Sequence, residues 1–222
     1  MSMDEQNGPR FNRESADFNA AAVTWDEKPQ RVHLACAVAK AIREQVPLTA
    51  AMQAMEFGCG TGLVSFHLVA ELGSVVAMDS AASMLEVLQK KATSLGVVTI
   101  RTALVDAGCH NLGSEQYDLV YSSMVLHHVP HLEMTLRALI HTLKPGGYLA
   151  LADLDEEDGS FHDNPAGVER HGVDRIWLTE FLRANGLQQV EAVTAHTIGK
   201  QRESSYDNYP VFLVCGRRPL RS

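Results

Sequence analysis

Apolar runs alternate with amphipathic stretches over most of the chain, and this alternation predicts the elements of an α/β fold. Short, largely apolar runs predict strands buried on both faces, at residues 51–57, 74–79, within 97–106, 117–123 and 148–154. Apolar residues that recur every three or four positions predict helices between them, at residues 62–72, 84–95 and 132–143. A further helix begins at Pro29 and is ended by Pro47. Strands that alternate with helices form a parallel sheet with helices on both faces.

The end of the chain shows a different pattern. A helix over 177–186 stops at a glycine, and two strand-like segments, 188–198 and 209–216, follow with no helical stretch between them. Consecutive strands of this kind predict an antiparallel hairpin at one edge of the sheet. We therefore expect a seven-stranded, mostly parallel sheet that ends in an antiparallel hairpin.

The charge and the cysteines narrow the range of partners. The 222 residues carry a formal net charge of −8, and no stretch is an obvious basic patch. A nucleic-acid binder needs positive charge to neutralise phosphates, so no nucleic-acid partner is expected. The four cysteines are widely spaced, and neither an apolar signal segment nor a run of membrane-spanning length occurs. These features predict a cytoplasmic protein with reduced thiols and no membrane partner.

A glycine-rich loop, E-F-G-C-G-T-G at residues 56–62, follows the first predicted strand of the alternating region. Ligands of open parallel sheets bind beyond the carboxyl ends of the strands, so this turn is a candidate binding site. A phosphate-binding P-loop would need a lysine after the last glycine, where Leu63 stands. A dinucleotide fingerprint, G-x-G-x-x-G, is disfavoured because Leu63 also takes the place of its third glycine.

Four ordered segments carry a family resemblance, namely M-E-F-G-C-G-T-G, V-V-A-M-D-S-A-A-S-M-L-E, Y-D-L-V-Y-S-S-M-V-L-H-H-V and L-K-P-G-G-Y-L-A-L-A-D. Together, over residues 52–155, they resemble the class I S-adenosylmethionine-dependent methyltransferases, most closely the small-molecule group called type 11. The resemblance implies a Rossmann-like α/β fold and an enzyme that moves a methyl group from S-adenosyl-L-methionine to a small molecule by in-line displacement. S-adenosyl-L-homocysteine would be the product.

The resemblance and the elements together predict one domain over residues 1–222. Residues 1–14 are expected to be a mobile end and 15–50 an N-terminal helical cap. Residues 51–155 would form the cofactor-binding core. The remaining part, 156–222, would contain a substrate-side insert, the last helix and the hairpin.

Several positions are candidate cofactor contacts. The resemblance assigns Glu56 and the loop at Gly58 to the ammonium of the cofactor, and Asp106 with the backbone of Ala107 to the adenine. Asp79 ends the second strand, where a carboxylate can accept both ribose hydroxyls; capping the next helix is its alternative role. For Asp106 the alternative is a turn before Gly108. The complete predicted set is Glu56, Gly58, Cys59, Gly60, Asp79, Ser80, Met84, Asp106, Ala107 and Ser122, in which Met84 could equally be a core residue.

Candidate catalytic and substrate residues follow the fourth strand and lie in the variable segments. His127 is the candidate general base, and the alternative is that it packs with His128 under the next helix. The candidate substrate contacts are Trp25, His128, His162 and His171, and Trp25 could instead hold the first helix to the sheet. The histidines show no metal-ligand spacing along the chain, so no metal is predicted.

Two other functions stay open at this point. A protein with this fold could bind S-adenosylmethionine without catalysis, because a fold does not imply a function. A nicotinamide-dependent oxidoreductase is disfavoured by the missing third glycine and by the antiparallel end of the predicted sheet.

Overall fold

The computed structural model describes residues 17–105, 112–164, 167–202 and 205–221. Its α-helices are α1 (Pro29–Gln45), α2 (Leu63–Leu68), α3 (Ala82–Leu95), α4 (Leu132–Thr142) and α5 (Arg175–Ala184). Its strands are β1 (Gln53–Phe57), β2 (Ser74–Asp79), β3 (Ile100–Leu104), β4 (Tyr117–Ser123), β5 (Leu143–Leu154), β6 (Gln188–Gln201) and β7 (Tyr206–Arg217). Short 3₁₀ helices cover Ala22–Glu27, Val69–Glu71 and Leu126–His128.

The described strands form one seven-stranded sheet in the order β3-β2-β1-β4-β5-β7-β6. Strands β1 to β5 are parallel, and β7 is antiparallel to both of its neighbours. The predicted mostly parallel sheet with a C-terminal antiparallel hairpin is therefore confirmed. The strand order reverses between β1 and β4, which makes their carboxyl ends the expected ligand-binding edge.

Some element boundaries differ from the predictions. Strand β5 begins at Leu143 rather than at residue 148, so the K-P-G-G segment lies inside it and pairs irregularly with the start of β4. The helix predicted over 62–72 is an α-helix only to Leu68 and continues as a 3₁₀ turn. The hairpin strands are longer than their apolar runs because backbone pairing continues through polar residues to Gln201 and Tyr206.

Helices cover both faces of the sheet. On one face, α1, α2 and α3 bury apolar residues such as Val38, Ile42 and Leu88 against the strands. On the other face, α4 and α5 do the same with residues such as Leu136 and Leu182. Because both faces are covered, the middle strands consist of apolar runs, and the ends of the strands are left to carry polar side chains. Within the described part of the chain, no helix has the length and apolarity needed to span a bilayer.

Candidate cofactor and substrate site

The glycine loop leaves β1 in a conformation that suits only glycine. Gly58, Gly60 and Gly62 have φ angles of 69°, 53° and 80°, in the left-handed region that side-chain-bearing residues rarely adopt. A Cβ atom at Gly58 would lie 2.3 Å from a methyl group of Val125, which follows β4. The loop therefore approaches the end of β4 with bare backbone.

Asp79 connects the end of β2 to this loop. Its carboxylate accepts hydrogen bonds from the backbone amides of Gly60 (2.6 Å) and Ala81 (2.9 Å). Burial raises the pKa of Asp79, and these amides partly offset the effect. A carboxylate has about four lone-pair positions, so two bonds to amides leave acceptor capacity for a ligand. The N-cap position of α3 is occupied by Ala81. Neither Asp79 nor the half-buried Ser80 is therefore the N-cap residue of this helix.

Glu56 lies beneath the loop and is shielded from solvent. It is 2% exposed and accepts a hydrogen bond from the hydroxyl of Ser65, which is 2.8 Å from the hydroxyl of Tyr121. Burial raises the pKa of Glu56 to about 8, although the hydrogen bonds from Ser65 oppose the shift. The carboxyl group is therefore mostly protonated at neutral pH.

This raised pKa predicts that stability falls as pH rises. The folded protein holds the Glu56 proton more tightly than the unfolded chain, whose carboxyl has an ordinary pKa near 4.5. The stabilisation is therefore complete below about pH 4.5 and is lost as pH rises through about 8. We expect the free energy of unfolding, measured with urea, to decline over this range in the wild type and less steeply in Glu56→Gln. Glu44→Gln, an exposed control, should follow the wild type, and equal slopes in all three proteins would contradict the assignment.

Three other predicted cofactor residues are buried and contact other parts of the protein. Cys59 is buried, and its amide donates to the carbonyl of Met78. Met84 is 2% exposed and packs against Ala22 and Ala81, which gives it a core role. Ser122 is fully buried, and its hydroxyl donates to the carbonyl of Phe57 at 2.7 Å. Asp106 and Ala107 lie outside the described residues.

The segment before α1 lies over the glycine loop. The indole nitrogen of Trp25 is 4.0 Å from the position that a Cβ atom of Gly60 would take, and the Arg31 guanidinium stacks 3.4 Å from the Trp25 ring centroid. Asp26 accepts a hydrogen bond from the hydroxyl of Thr61 (2.5 Å) and pairs with Lys91 on α3 (2.7 Å). Trp25 is thus placed both against Arg31 of α1 and next to Gly60 of the loop.

His127 forms a buried pair with an aspartate at the end of β5. Its Nδ1 is 2.5 Å from Oδ1 of Asp153, and both side chains are almost completely buried. Asp153 also accepts hydrogen bonds from the backbone amides of Leu126, His127 and Leu154. Although burial acts to raise it, the pKa of Asp153 lies below its ordinary value because His127 supplies a positive charge and a hydrogen bond. An ionised Asp153 can only accept, so Nδ1 of His127 carries a proton, and in the neutral form of the ring the lone pair is on Nε2.

Two more histidines lie against His127. Nδ1 of His128 donates to the carbonyl of Gly167 at 2.9 Å, and its ring meets the edge of Phe18. His162, in the loop after β5, has its ring centroid 5.1 Å from that of His127. Burial, followed by the positive charges of its histidine neighbours, lowers the pKa of His162 to about 4. Its Nδ1 is buried without a hydrogen-bond partner among the described residues.

Among the candidate histidines, His171 does not join this group. It is exposed, lies 3.8 Å from Glu157, and lines an open cavity of about 750 Å³ together with Arg170 and Trp177. The backbone amides of Glu169 and Arg170 donate to the carbonyl of His127, so the segment before His171 contacts the histidine group from outside.

Sequence reasoning missed several residues of the site. Asp153 is the most important of them, and its signal was an acid at the carboxyl end of the buried run Y-L-A-L-A-D-L. Arg170, which donates to the carbonyl of Leu126, and Asp26 gave no comparable signal, because their partners are distant in sequence. Met124 has a φ of 59°, an uncommon conformation for a side-chain-bearing residue that often occurs at functional sites.

Comparison with known proteins identifies the family. Residues 55–151 match the family model described as a methyltransferase domain. The chain is 31% identical to a ubiquinone biosynthesis O-methyltransferase of Methylobacterium nodulans. The alignment has 255 positions and covers 98% of this chain and 100% of that protein. The chain therefore belongs to the class I S-adenosylmethionine-dependent methyltransferases, enzymes whose cofactor is S-adenosylmethionine.

Two further comparisons agree with this family assignment. An uncharacterized methyltransferase of Schizosaccharomyces pombe is 30% identical over 135 residues, which cover 54% of this chain and 48% of that protein. The match thus spans about half the length of that relative. The crystal structure of an S-adenosylmethionine-dependent methyltransferase from Aquifex aeolicus has the same fold, with a TM-score of 0.65 and 18% identity over 91% of this chain and 97% of that one.

Proposed function

We propose that the protein transfers a methyl group from S-adenosylmethionine to a hydroxyl oxygen of a small molecule. The observation that carries the proposal is the buried His127–Asp153 pair at the carboxyl ends of β4 and β5. The pair lies next to the glycine loop: Val125, two residues before His127, would touch a Cβ atom at Gly58. The O-methyltransferase name of the Methylobacterium nodulans relative supports an oxygen acceptor.

The residues of the loop fit the family's cofactor. Gly60 exposes backbone without a side chain, and Asp79 presents a carboxylate at the point where the strand order reverses. When bound, S-adenosylmethionine supplies a methyl group that is activated by its sulfonium leaving group. Asp79 would accept the ribose hydroxyls, the Gly58 region would accept from the ammonium, and Trp25 with its neighbours would exclude water from above.

His127 would act on the acceptor. Its Nε2 lone pair can take the proton of a hydroxyl while the oxygen attacks the methyl carbon, and Asp153 stabilises the imidazolium that results. Asp153 is a positioning residue in this scheme, because it holds the tautomer and the charge of His127 without touching the acceptor. His128 and His162 would line the acceptor side of the same group.

The direct test combines binding and turnover. Calorimetric titrations with S-adenosylmethionine, S-adenosylhomocysteine and NAD should show binding of the two sulfur compounds only. Incubation with methyl-labelled S-adenosylmethionine and a panel of small phenols and alcohols should then transfer the label to oxygen. Binding of the sulfur compounds with no transfer to any acceptor class would favour a non-catalytic binding protein, and binding of NAD alone would contradict the proposal.

The role of Asp79 is testable by an isosteric change. Asp79→Asn removes the charge and leaves one amide, of Gly60 or Ala81, facing an NH₂ group. We expect the Kd for S-adenosylmethionine to rise at least about 10-fold, since hydrogen bonds to charged groups contribute roughly 1.5–3 kcal/mol. Asp118→Asn is the matched control, because Asp118 lies at the opposite end of the sheet and pairs with Lys144. An unchanged Kd in Asp79→Asn would remove the ribose assignment.

A further inference from the structure

Three imidazole rings from two separate segments converge on one point of the site. His127 and His128 belong to the 3₁₀ helix after β4, and His162 belongs to the loop after β5. One ring nitrogen from each lies within 4.8 Å of the other two. We propose that this three-histidine cluster binds one divalent first-row transition-metal ion of the Zn²⁺ class, which holds the acceptor oxygen.

The surroundings of two of the rings are those of metal-ligating histidines. A ligating histidine usually donates its other ring N–H to a carboxylate or a backbone carbonyl, which fixes the tautomer and the ring orientation. Asp153 accepts from Nδ1 of His127, and the carbonyl of Gly167 accepts from Nδ1 of His128. In both neutral rings the Nε2 atom is then the nitrogen with a lone pair.

The third ring, that of His162, has a buried nitrogen, Nδ1, without a hydrogen-bond partner among the described residues. Burial of an unpaired polar atom is unfavourable and is uncommon in native structures. Coordination by either nitrogen of His162 would bring the ring into a fixed position, and the loop that carries it could adjust to pair the other nitrogen.

The donor set selects the class of ion. Three neutral nitrogens suit Zn²⁺, Fe²⁺, Ni²⁺ or Cu²⁺, whereas Mg²⁺ and Ca²⁺ prefer oxygen ligands. Asp153 accepts hydrogen bonds from the His127 ring and from three backbone amides, so it orients a ligand of the ion and is not one itself. Tetrahedral coordination at about 2.0–2.1 Å places nitrogens roughly 3.4 Å apart, so ring movements of about an ångström would close the cluster on an ion.

Three protein ligands leave a position open, as in catalytic zinc sites. The role of the ion rests on the proposed transfer to a hydroxyl oxygen, but Nε2 of His127 would then be a ligand of the ion in place of a base for the acceptor. An acceptor hydroxyl at the open position would have a lowered pKa and would release its proton to solvent. The oxygen would then form its bond to the methyl carbon, while the carbon–sulfur bond breaks and leaves its electron pair on sulfur. His127 would act on the acceptor through the ion.

The binding test uses tag-free, EDTA-treated full-length protein and Zn²⁺ alone. Competition with a zinc-binding dye should show one high-affinity Zn²⁺ per chain, and Co²⁺ should give the intense visible absorption of a four-coordinate site. His162→Ala and, independently, His128→Asn should each weaken Zn²⁺ binding by at least about 100-fold, more than loss of an outer partner does. His141→Ala, which removes an exposed histidine of α4, should bind Zn²⁺ as the wild type does. Absence of stoichiometric Zn²⁺ binding, or equal affinity in folded His162→Ala and His128→Asn, would overturn the proposal.

A second measurement separates this inference from the proposed function. S-adenosylmethionine binding and methyl transfer are measured on the same metal-free protein with and without added Zn²⁺. Cofactor binding should not depend on Zn²⁺, and methyl transfer should increase when Zn²⁺ is restored. Full methyl transfer by metal-free protein would overturn the role of the ion and leave the proposed function intact.

Discussion

Replacement of His127 by asparagine is expected to lower kcat for methyl transfer by roughly 10²–10⁴-fold, the contribution typical of a group that removes a proton in the transition state. Asparagine keeps a donor for Asp153 but has no Nε2 lone pair to act on the acceptor, directly or through an ion. The Kd for S-adenosylmethionine should change by no more than about twofold, because the proposed cofactor contacts lie on the glycine loop and on β2. Steady-state kinetics with an identified acceptor and calorimetry with the cofactor measure the two effects separately.

Two further variants make this expectation specific. His141→Asn, at the exposed end of α4, should have the kcat of the wild type. Asp153→Asn should lower kcat for methyl transfer and leave the Kd for S-adenosylmethionine within about twofold, because it removes the anionic partner that accepts from Nδ1 of His127. A merely structural role for Asp153 would impair cofactor binding together with kcat. A kcat for folded His127→Asn within about threefold of the wild type would contradict the catalytic assignment.

Replacement of Gly58 by alanine is expected to abolish measurable cofactor binding and to destabilise the fold by several kcal/mol. The left-handed conformation, with φ of 69°, costs alanine about 1–2 kcal/mol. In addition, the new Cβ atom would lie 2.3 Å from Val125, so either the loop or the end of β4 must move. Urea unfolding and calorimetry with S-adenosylmethionine measure the two consequences.

The contribution of the contact can be separated from that of the backbone conformation. Gly96, after α3, has a similar φ of 67°, and a Cβ atom there would meet nothing within 4 Å. Gly96→Ala should therefore show only the smaller conformational cost and should bind the cofactor normally. The double variant Gly58→Ala, Val125→Ala should recover part of the lost stability, because the clashing methyl groups are absent. Gly58→Ala with normal stability and cofactor affinity would show that the loop is not closely packed.

The sequence predicted a large part of the fold, and it predicted the loop and the carboxylate that form the candidate cofactor site. Periodicity identified the strands β1 to β5 and their order along the chain, because a strand buried on both faces must be apolar over its whole length. The glycine loop and Asp79 were recognisable because a tight turn at a strand end has strict local requirements. The structure joins these two features by the hydrogen bond from Gly60 to Asp79.

Features that depend on side-chain partners distant in sequence were not predictable. The burial of Glu56 and its hydrogen bond from Ser65 depend on how α2 packs over β1, and the assignment of Glu56 to the cofactor ammonium stays a prediction. The boundaries of β5 and of the hairpin strands also differed, because backbone pairing with a neighbouring strand extends a strand beyond its apolar run.

The sequence by itself thus determined the class of fold, the glycine loop after β1 and the place of His127 after β4, since these depend on short-range patterns. Only the tertiary structure decided that Asp153 holds His127 and that His162, 35 positions along the chain, joins His127 and His128. The spacing of ligating residues along a sequence reveals a metal site only when those residues lie on one local element. Here the three rings meet because β4 and β5 are parallel neighbours, so the segments that follow them begin at the same edge of the sheet.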